Sequence, residues 1–145
     1  DKRAQIRSKD VGFVFQSFHL LPRLSALDNV MMPLEILGAK DAKERSLKAL
    51  DEVGLSKRTG HVPHQLSGGE KQRVAIARAM VKAPSILFAD EPTGNLDQSS
   101  TDNILELLLG INKQTKTTLV VVTHDQQLAS RSDMVFELQE GKLKC

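Results

Sequence analysis

The run Ser85-Ile86-Leu87-Phe88-Ala89, leading straight into Asp90-Glu91, constrains the fold more than any other stretch. It is apolar at consecutive positions, so both faces of the extended chain need cover. Such a run reads as a central strand of a parallel sheet. Val11 to Phe15 and the β-branched run Thr117 to Thr123 read as two further buried strands. The three runs end in polar residues: Gln16, Asp90-Glu91 and His124. Parallel α/β sheets bind ligands at the carboxyl ends of their strands, so this pattern predicts a site with an amide, two carboxylates and an imidazole.

Between and after these runs the signals are helical. Ser25 is placed to cap a helix from Ala26 to Leu37 that Gly38 stops, with Pro33 expected to kink or break it. Asp41 and Glu44 have capping-box spacing at the start of a helix from Ala42 to Val53, whose face is expected to carry Leu47, Leu50 and Val53. Ser56 to Gln65 reads as a polar loop. Next comes Leu66-Ser67-Gly68-Gly69-Glu70-Lys71-Gln72-Arg73. Ser67 and Glu70 form a second capping-box pattern, and Gly68 and Gly69 let another surface approach the backbone closely. The N-terminus of the helix that follows is suited to a phosphate group. Asp97 caps a helix carrying Ile104, Leu105, Leu107, Leu108 and Ile111. A short helical turn over Gln126 to Ser130 and closing strands around Glu140-Gly141 complete the reading. The fold class is therefore α/β, a mainly parallel sheet core with a helical insertion. Residues 17–84 form the helical part, and 1–16 with 85–145 the core, within a single domain.

Length and composition narrow the class of function. The chain has 145 residues, 40% hydrophobic and 26% charged, as in an ordinary globular domain. No apolar run approaches the ~18 residues that span a bilayer, and the start lacks a signal-peptide core. Cys145 is the single cysteine, which fits a reducing cytosol. A net charge of +2 without a dense basic block, and no Trp or Tyr, leads us to expect no nucleic-acid partner. His61 and His64 have no third ligand at zinc spacing and read as surface residues. Phe18, Leu20 and Leu21 read as partly core, with an exposed subset available for docking.

Asp90 and Glu91 point to opposite sides of an extended chain, so two roles fit better than joint chelation. One carboxylate would serve Mg²⁺, usually through water, and the other an attacking water. The competing reading is a pair of solvated turn carboxylates. His124 alone would read as a structural histidine, and its place at a strand end favours a functional one.

Taken together these residues resemble the nucleotide-binding domain of ABC transporters, from about Val11 to Leu143. The resemblance implies a P-loop NTPase fold, ATP and Mg²⁺ as cofactors, and ATP hydrolysis. Gln16 matches the Q-loop glutamine, which senses Mg²⁺ and the attacking water. Ser67, Gly68, Gly69 and Glu70 lie in the signature, which acts in trans on nucleotide held by a second domain. Asp90 matches the Mg²⁺-linked carboxylate of the Walker B strand and Glu91 the catalytic base. Asn95, Leu96 and Asp97 match the D-loop at the dimer interface, and His124 the switch histidine that contacts the γ-phosphate. Phe18-His19-Leu20-Leu21-Pro22, with the stretch Ala89 to Asp97, is most similar to the bacterial lipoprotein-release and macrolide-export group. The implied partners are a transmembrane permease subunit and a second ATPase domain, on the inner face of the cytoplasmic membrane.

The sequence departs from the family in one respect. It contains no G-x-x-x-x-G-K-[ST], and fifteen residues precede Gln16, where the family's phosphate loop lies well upstream. The expectation is an incomplete, N-terminally truncated ABC ATPase domain that is inactive by itself. Two other readings compete: a soluble ABC ATPase outside transport, and a non-enzymatic half-domain lending its signature to a partner. The single signature and the absence of sustained heptads weigh against the first. Glu91 and His124, useful only in a complete catalytic site, weigh against the second.

Overall fold

A computed structural model describes residues 9–144. Cys145 and the chain start, expected to lack a signal-peptide core, lie outside the described residues. Strands β1 (Val11–Phe15), β2 (Ile86–Asp90) and β3 (Thr118–Val122) form a parallel sheet in the order β1-β2-β3. The continuously apolar run is thus the central strand, as its pattern requires. Phe15 lies opposite Asp90, and Asp90 opposite Val122, so the three carboxyl ends share one edge.

Three helices fill the crossover from β1 to β2: α1 (Ala26–Ile36), α2 (Ala42–Glu52) and α3 (Gly68–Met80). Helix α4 (Gln98–Thr115) fills the crossover from β2 to β3. The short α5 (Gln126–Ser130) and an exposed antiparallel pair, β4 (Glu137–Gln139) with β5 (Lys142–Lys144), follow. The pair turns through Glu140 and Gly141, whose φ values of 49° and 76° are both left-handed.

Helix α3 joins two cores. On one side Val74 and Ala77 pack with Val30 and Leu34 of α1, Ala49 and Leu50 of α2, and Leu55. On the other, Ile76 and Ala79 pack with Val14, Leu87, Ala89, Ile104 and Leu108. Each fully buried leucine contributes roughly 1.5–3 kcal/mol. Alanines at 75, 77 and 79 keep α3 slim between its neighbours. Strand β1 then passes so close that a Cβ on Gly12 would lie 2.9 Å from the Ala79 carbonyl oxygen.

Several local expectations need correction. Helix α1 runs through Pro33 without a break, although Ser25 caps it as expected, its hydroxyl accepting from the Asp28 N–H at 3.1 Å. Asp41 makes no capping bond; its backbone is not extended, and its carboxylate instead lies 3.7 Å from Arg45. Leu50 and Val53 are buried as expected, but Leu47 is exposed, and the rest of the buried face of α2 is Ala42, Ser46 and Ala49, where small side chains allow close approach. The outer strands are not buried on both faces. Val14, Leu119 and Val121 pack toward α3 and α4, whereas Phe13, Val120 and Val122 are 43%, 37% and 56% exposed. On that second face Phe13 stacks on Phe15 and Phe88, with ring centroids 6.0 and 5.5 Å apart.

Candidate functional site

The site begins where β2 ends. Asp90 is the last strand residue and is exposed. Glu91 leaves the strand at φ 43°, in the left-handed region that disfavours a side chain. Its N–H still donates to the Val122 carbonyl at 2.8 Å, which fastens the turn to β3. The simple alternation expected of two extended neighbours therefore does not hold, because Glu91 is not extended. Its carboxylate reaches the end of β3. Oε1 lies 2.6 Å from His124 Nδ1, and Oε2 accepts from the Thr123 hydroxyl at 3.4 Å. Beside a carboxylate oxygen the hydrogen belongs on Nδ1, and Nε2 can donate outward only when the ring carries a hydrogen on both nitrogens. The His124 side chain is 88% exposed and that of Glu91 24%, so the imidazole faces outward and the carboxylate sits behind it.

Gln16 follows directly on β1. Its Nε2 donates to Asn95 Oδ1 at 3.3 Å, and Asn95 Nδ2 donates back to the Gln16 carbonyl at 3.1 Å. Gly94 makes this possible: a Cβ there would lie 2.6 Å from Gln16 Nε2. Thr93, Gly94 and Asn95 thus bring the loop after β2 against the loop after β1. The amide, both carboxylates and the imidazole sit at one sheet edge, as the strand ends require. Among the described residues no cluster of three or more His, Cys, Asp or Glu could hold a metal ion. Asp90 and Gln16 nonetheless offer oxygens at adjacent strand ends, a small donor set that suits Mg²⁺, which draws most of its ligands from water and phosphate.

The capped glycine segment forms the second part. The Ser67 hydroxyl accepts from the Glu70 N–H at 3.1 Å, and Glu70 Oε2 accepts from the Ser67 N–H at 2.9 Å, a complete capping box. Arg58 Nε donates to Glu70 Oε1 at 3.1 Å. The Ser67 N–H, with Arg58 adding to it, holds the Glu70 carboxyl below the usual glutamate range. The two glycines are also explained within the chain. A Cβ on Gly68 would lie 3.3 Å from Leu96 Cδ2, and one on Gly69 3.0 Å from Ser100 Oγ. Asp97 caps α4 through the Ser100 N–H and hydroxyl, each at 2.9 Å, and the backbone bond to Ser100 depresses its carboxyl. A cleft of ≈ 540 Å³ opens beside Ser67, bordered by Lys57, Arg58 and Arg73. Among the described residues no hydrogen bond or ion pair joins Ser67, Gly68, Gly69 or Glu70 to Gln16, Asp90, Glu91 or His124. The two parts lie on different elements.

His61 is half-buried and His64 exposed, with the His61 ring beside Arg58. Two residues of consequence escape a reading by motif. Gln72 is fully buried in α3, and Arg78 donates from α3 to the Phe18 and His19 carbonyls at 3.0 and 2.7 Å. The available signal was spacing, because Gln72 shares the apolar face of Ile76 and Ala79.

The parallel sheet and the capped glycine helix are those of an ATP-binding cassette, as comparison with known proteins shows. The chain belongs to the ABC transporter family, which it matches over residues 1–94. It is 53% identical over 144 residues to the lipoprotein-releasing system ATP-binding protein LolD of Legionella pneumophila, covering 98% of this chain and 63% of that protein. It is also 53% identical over 146 residues to the uncharacterized ABC transporter ATP-binding protein YbbA of Escherichia coli, covering 99% of this chain and 64% of that one. Among solved structures, a post-hydrolysis dimer of the cassette MJ0796 bound to ADP and Pi superposes with a TM-score of 0.85 at 39% identity, over 100% of this chain and 65% of that one. The chain thus spans just under two thirds of the relatives it matches.

Proposed function

We propose that the complete protein is the ATP-binding and ATP-hydrolysing subunit of an ABC transporter, driving export or extraction of a substrate through a transmembrane permease. The observation that carries this reading is the 2.6 Å Glu91–His124 pair, which joins the ends of β2 and β3 beside Asp90, with Gln16 at the end of β1 on the other side of β2. Glu91 acts as the base that orients and deprotonates an attacking water, with its carboxylate steered by His124 and Thr123. His124 presents its outward ring nitrogen to the γ-phosphate. Asp90 and the Gln16 amide hold Mg²⁺, which when bound neutralises phosphate charge. Ser67, Gly68, Gly69 and Glu70 close over nucleotide held by a second copy, and Asn95, Leu96 and Asp97 lie along the interface between copies. The cleft beside Ser67 is lined by Lys57, Arg58 and Arg73 against one carboxylate, Glu70, which pairs with Arg58, and the remaining positive charge supports an anionic ligand there.

Residues 17–84 act as the helical subdomain. The stretch Gln16 to Gly38, with Leu21, Ile36 and Leu37 exposed, docks on the permease. No helix among the described residues is long and apolar enough to cross a membrane, which fits a peripheral subunit on the inner face of the cytoplasmic membrane. Release of lipoproteins is the transport activity that the LolD relatives support. Because the sequence holds no G-x-x-x-x-G-K-[ST], the 145 residues alone bind ATP weakly and do not hydrolyse it. In the complete protein, Glu91→Gln should bind ATP yet lose nearly all turnover and accumulate an ATP-bound dimer. Parent-level hydrolysis by Glu91→Gln would overturn the assignment. So would saturable micromolar binding of a fluorescent ATP analogue to the 145-residue chain, for its part of the reading.

A further inference from the structure

Gln72 sits in the second turn of α3, fully buried, between the two loops that carry the proposed catalytic groups. Its Nε2 donates to the carbonyl of Pro92, the residue after Glu91, and at 3.4 Å to the carbonyl of Phe15, the residue before Gln16. The amide orientation follows from this, because a flipped amide would set its own oxygen against two carbonyl oxygens. In the observed orientation Oε1 is buried with no donor among the described residues. Stability alone gives this amide little advantage, since it satisfies the buried Pro92 carbonyl but leaves its own oxygen without a partner.

Six residues on, Arg78 supports the same loop from the other side. It donates to the carbonyls of Phe18 and His19, two consecutive residues held at φ 63° and 49°. Left-handed conformations persist at non-glycine residues when their surroundings hold them, and here the guanidinium does so. Gln16 is therefore bracketed, with Gln72 gripping the carbonyl before it and Arg78 two carbonyls after it.

We infer that Gln72 is a positioning residue: one buried amide sets Gln16 and Glu91 in register with each other and ties both to the signature helix. The inference rests on the ATPase reading above. Neither role was visible in the motif, where Gln72 and Arg78 look like ordinary helix residues.

The test is Gln72→Met in the complete protein, which preserves volume and removes both hydrogen bonds along with the unpartnered oxygen. Its melting midpoint should stay within about 3 °C of the parent, because one unsatisfied group is exchanged for another. Its kcat should fall about tenfold or more while KM for ATP stays within about twofold, the signature of a misplaced reacting group rather than weaker binding. In a Gln16→Ala background the same substitution should lower kcat by less than about threefold, since one of the groups it positions is gone. Where Gln72→Met is recovered unfolded, Gln72→Asn, too short to reach both carbonyls, carries the same measurements. An unchanged kcat in a folded Gln72 variant, or an undiminished further loss in the Gln16→Ala background, overturns the positioning role alone. A parent protein without ATPase activity overturns the proposed function and this role with it.

Discussion

Gln16 and Asn95 hold each other through a reciprocal pair of hydrogen bonds, 3.3 and 3.1 Å long, across a separation of 79 residues. The pair joins the loop after β1 to the loop after β2, and each amide fixes the rotamer of the other. Asn95→Ala removes both bonds from an exposed position, so stability should change by no more than about 0.5 kcal/mol. Turnover should fall about tenfold through loss of Gln16 placement. ATPase assays beside thermal melts separate the two effects, and a variant with full kcat would show that Gln16 needs no such tether.

Gly94 gives a sharper version of the same test. Its backbone does not lie in the left-handed region, so alanine costs little in conformation. The added methyl would sit 2.6 Å from Nε2 and 2.9 Å from Cδ of Gln16, the mobile end of a side chain, and would push that amide away. Gly94→Ala should therefore melt like the parent and hydrolyse ATP more slowly. A crystal structure of the variant with Gln16 still bonded to Asn95 would contradict this.

The cap on α3 predicts a pH effect. The Ser67 N–H and then Arg58 favour the charged form of Glu70, so its pKa is lower in the folded chain than in the unfolded one. The stabilisation is complete above the unfolded value of about 4.3 and disappears as pH falls through the lower folded value. Between about pH 5 and pH 3 the melting midpoint of the parent should therefore drop more steeply than that of Glu70→Gln. Parallel curves for the two proteins would remove Glu70 as a contributor.

The proposed trans arrangement predicts the behaviour of mixed dimers. Ser67→Arg in one subunit and loss of the phosphate-loop lysine in the other place both lesions in one composite site, leaving the second site intact. About half the parent activity should remain if sites work independently. Collapse of activity in a verified heterodimer, with each lesion severe as a homodimer, would assign the signature to its own subunit.

The sheet edge was legible in the sequence because it depends on the chain's strongest signals. A doubly apolar strand must lie inside a parallel sheet, and its polar end must then fall at the binding edge. The caps at Ser25, Ser67 and Asp97 were legible for a related reason, since each satisfies helix N–H groups with its neighbours alone. Asp41 shows the limit of that signal: identical spacing, but a backbone that turns the carboxylate toward Arg45. What depended on distant segments was not legible. Val120 and Val122 have a strand's composition, and their exposure depends on what packs against them. Gln72 and Arg78 act on carbonyls contributed by loops as many as 60 residues away.

Glu91 combines a left-handed backbone at the sheet edge with the carboxylate proposed as base. At φ 43° an L-residue is disfavoured by roughly 1–2 kcal/mol relative to glycine, which adopts that region freely. The position just before Pro92 restricts it further. Ranking variants by melting temperature alone would thus reward Glu91→Gly, a protein that holds its shape better and has lost the carboxylate proposed to take a proton from water.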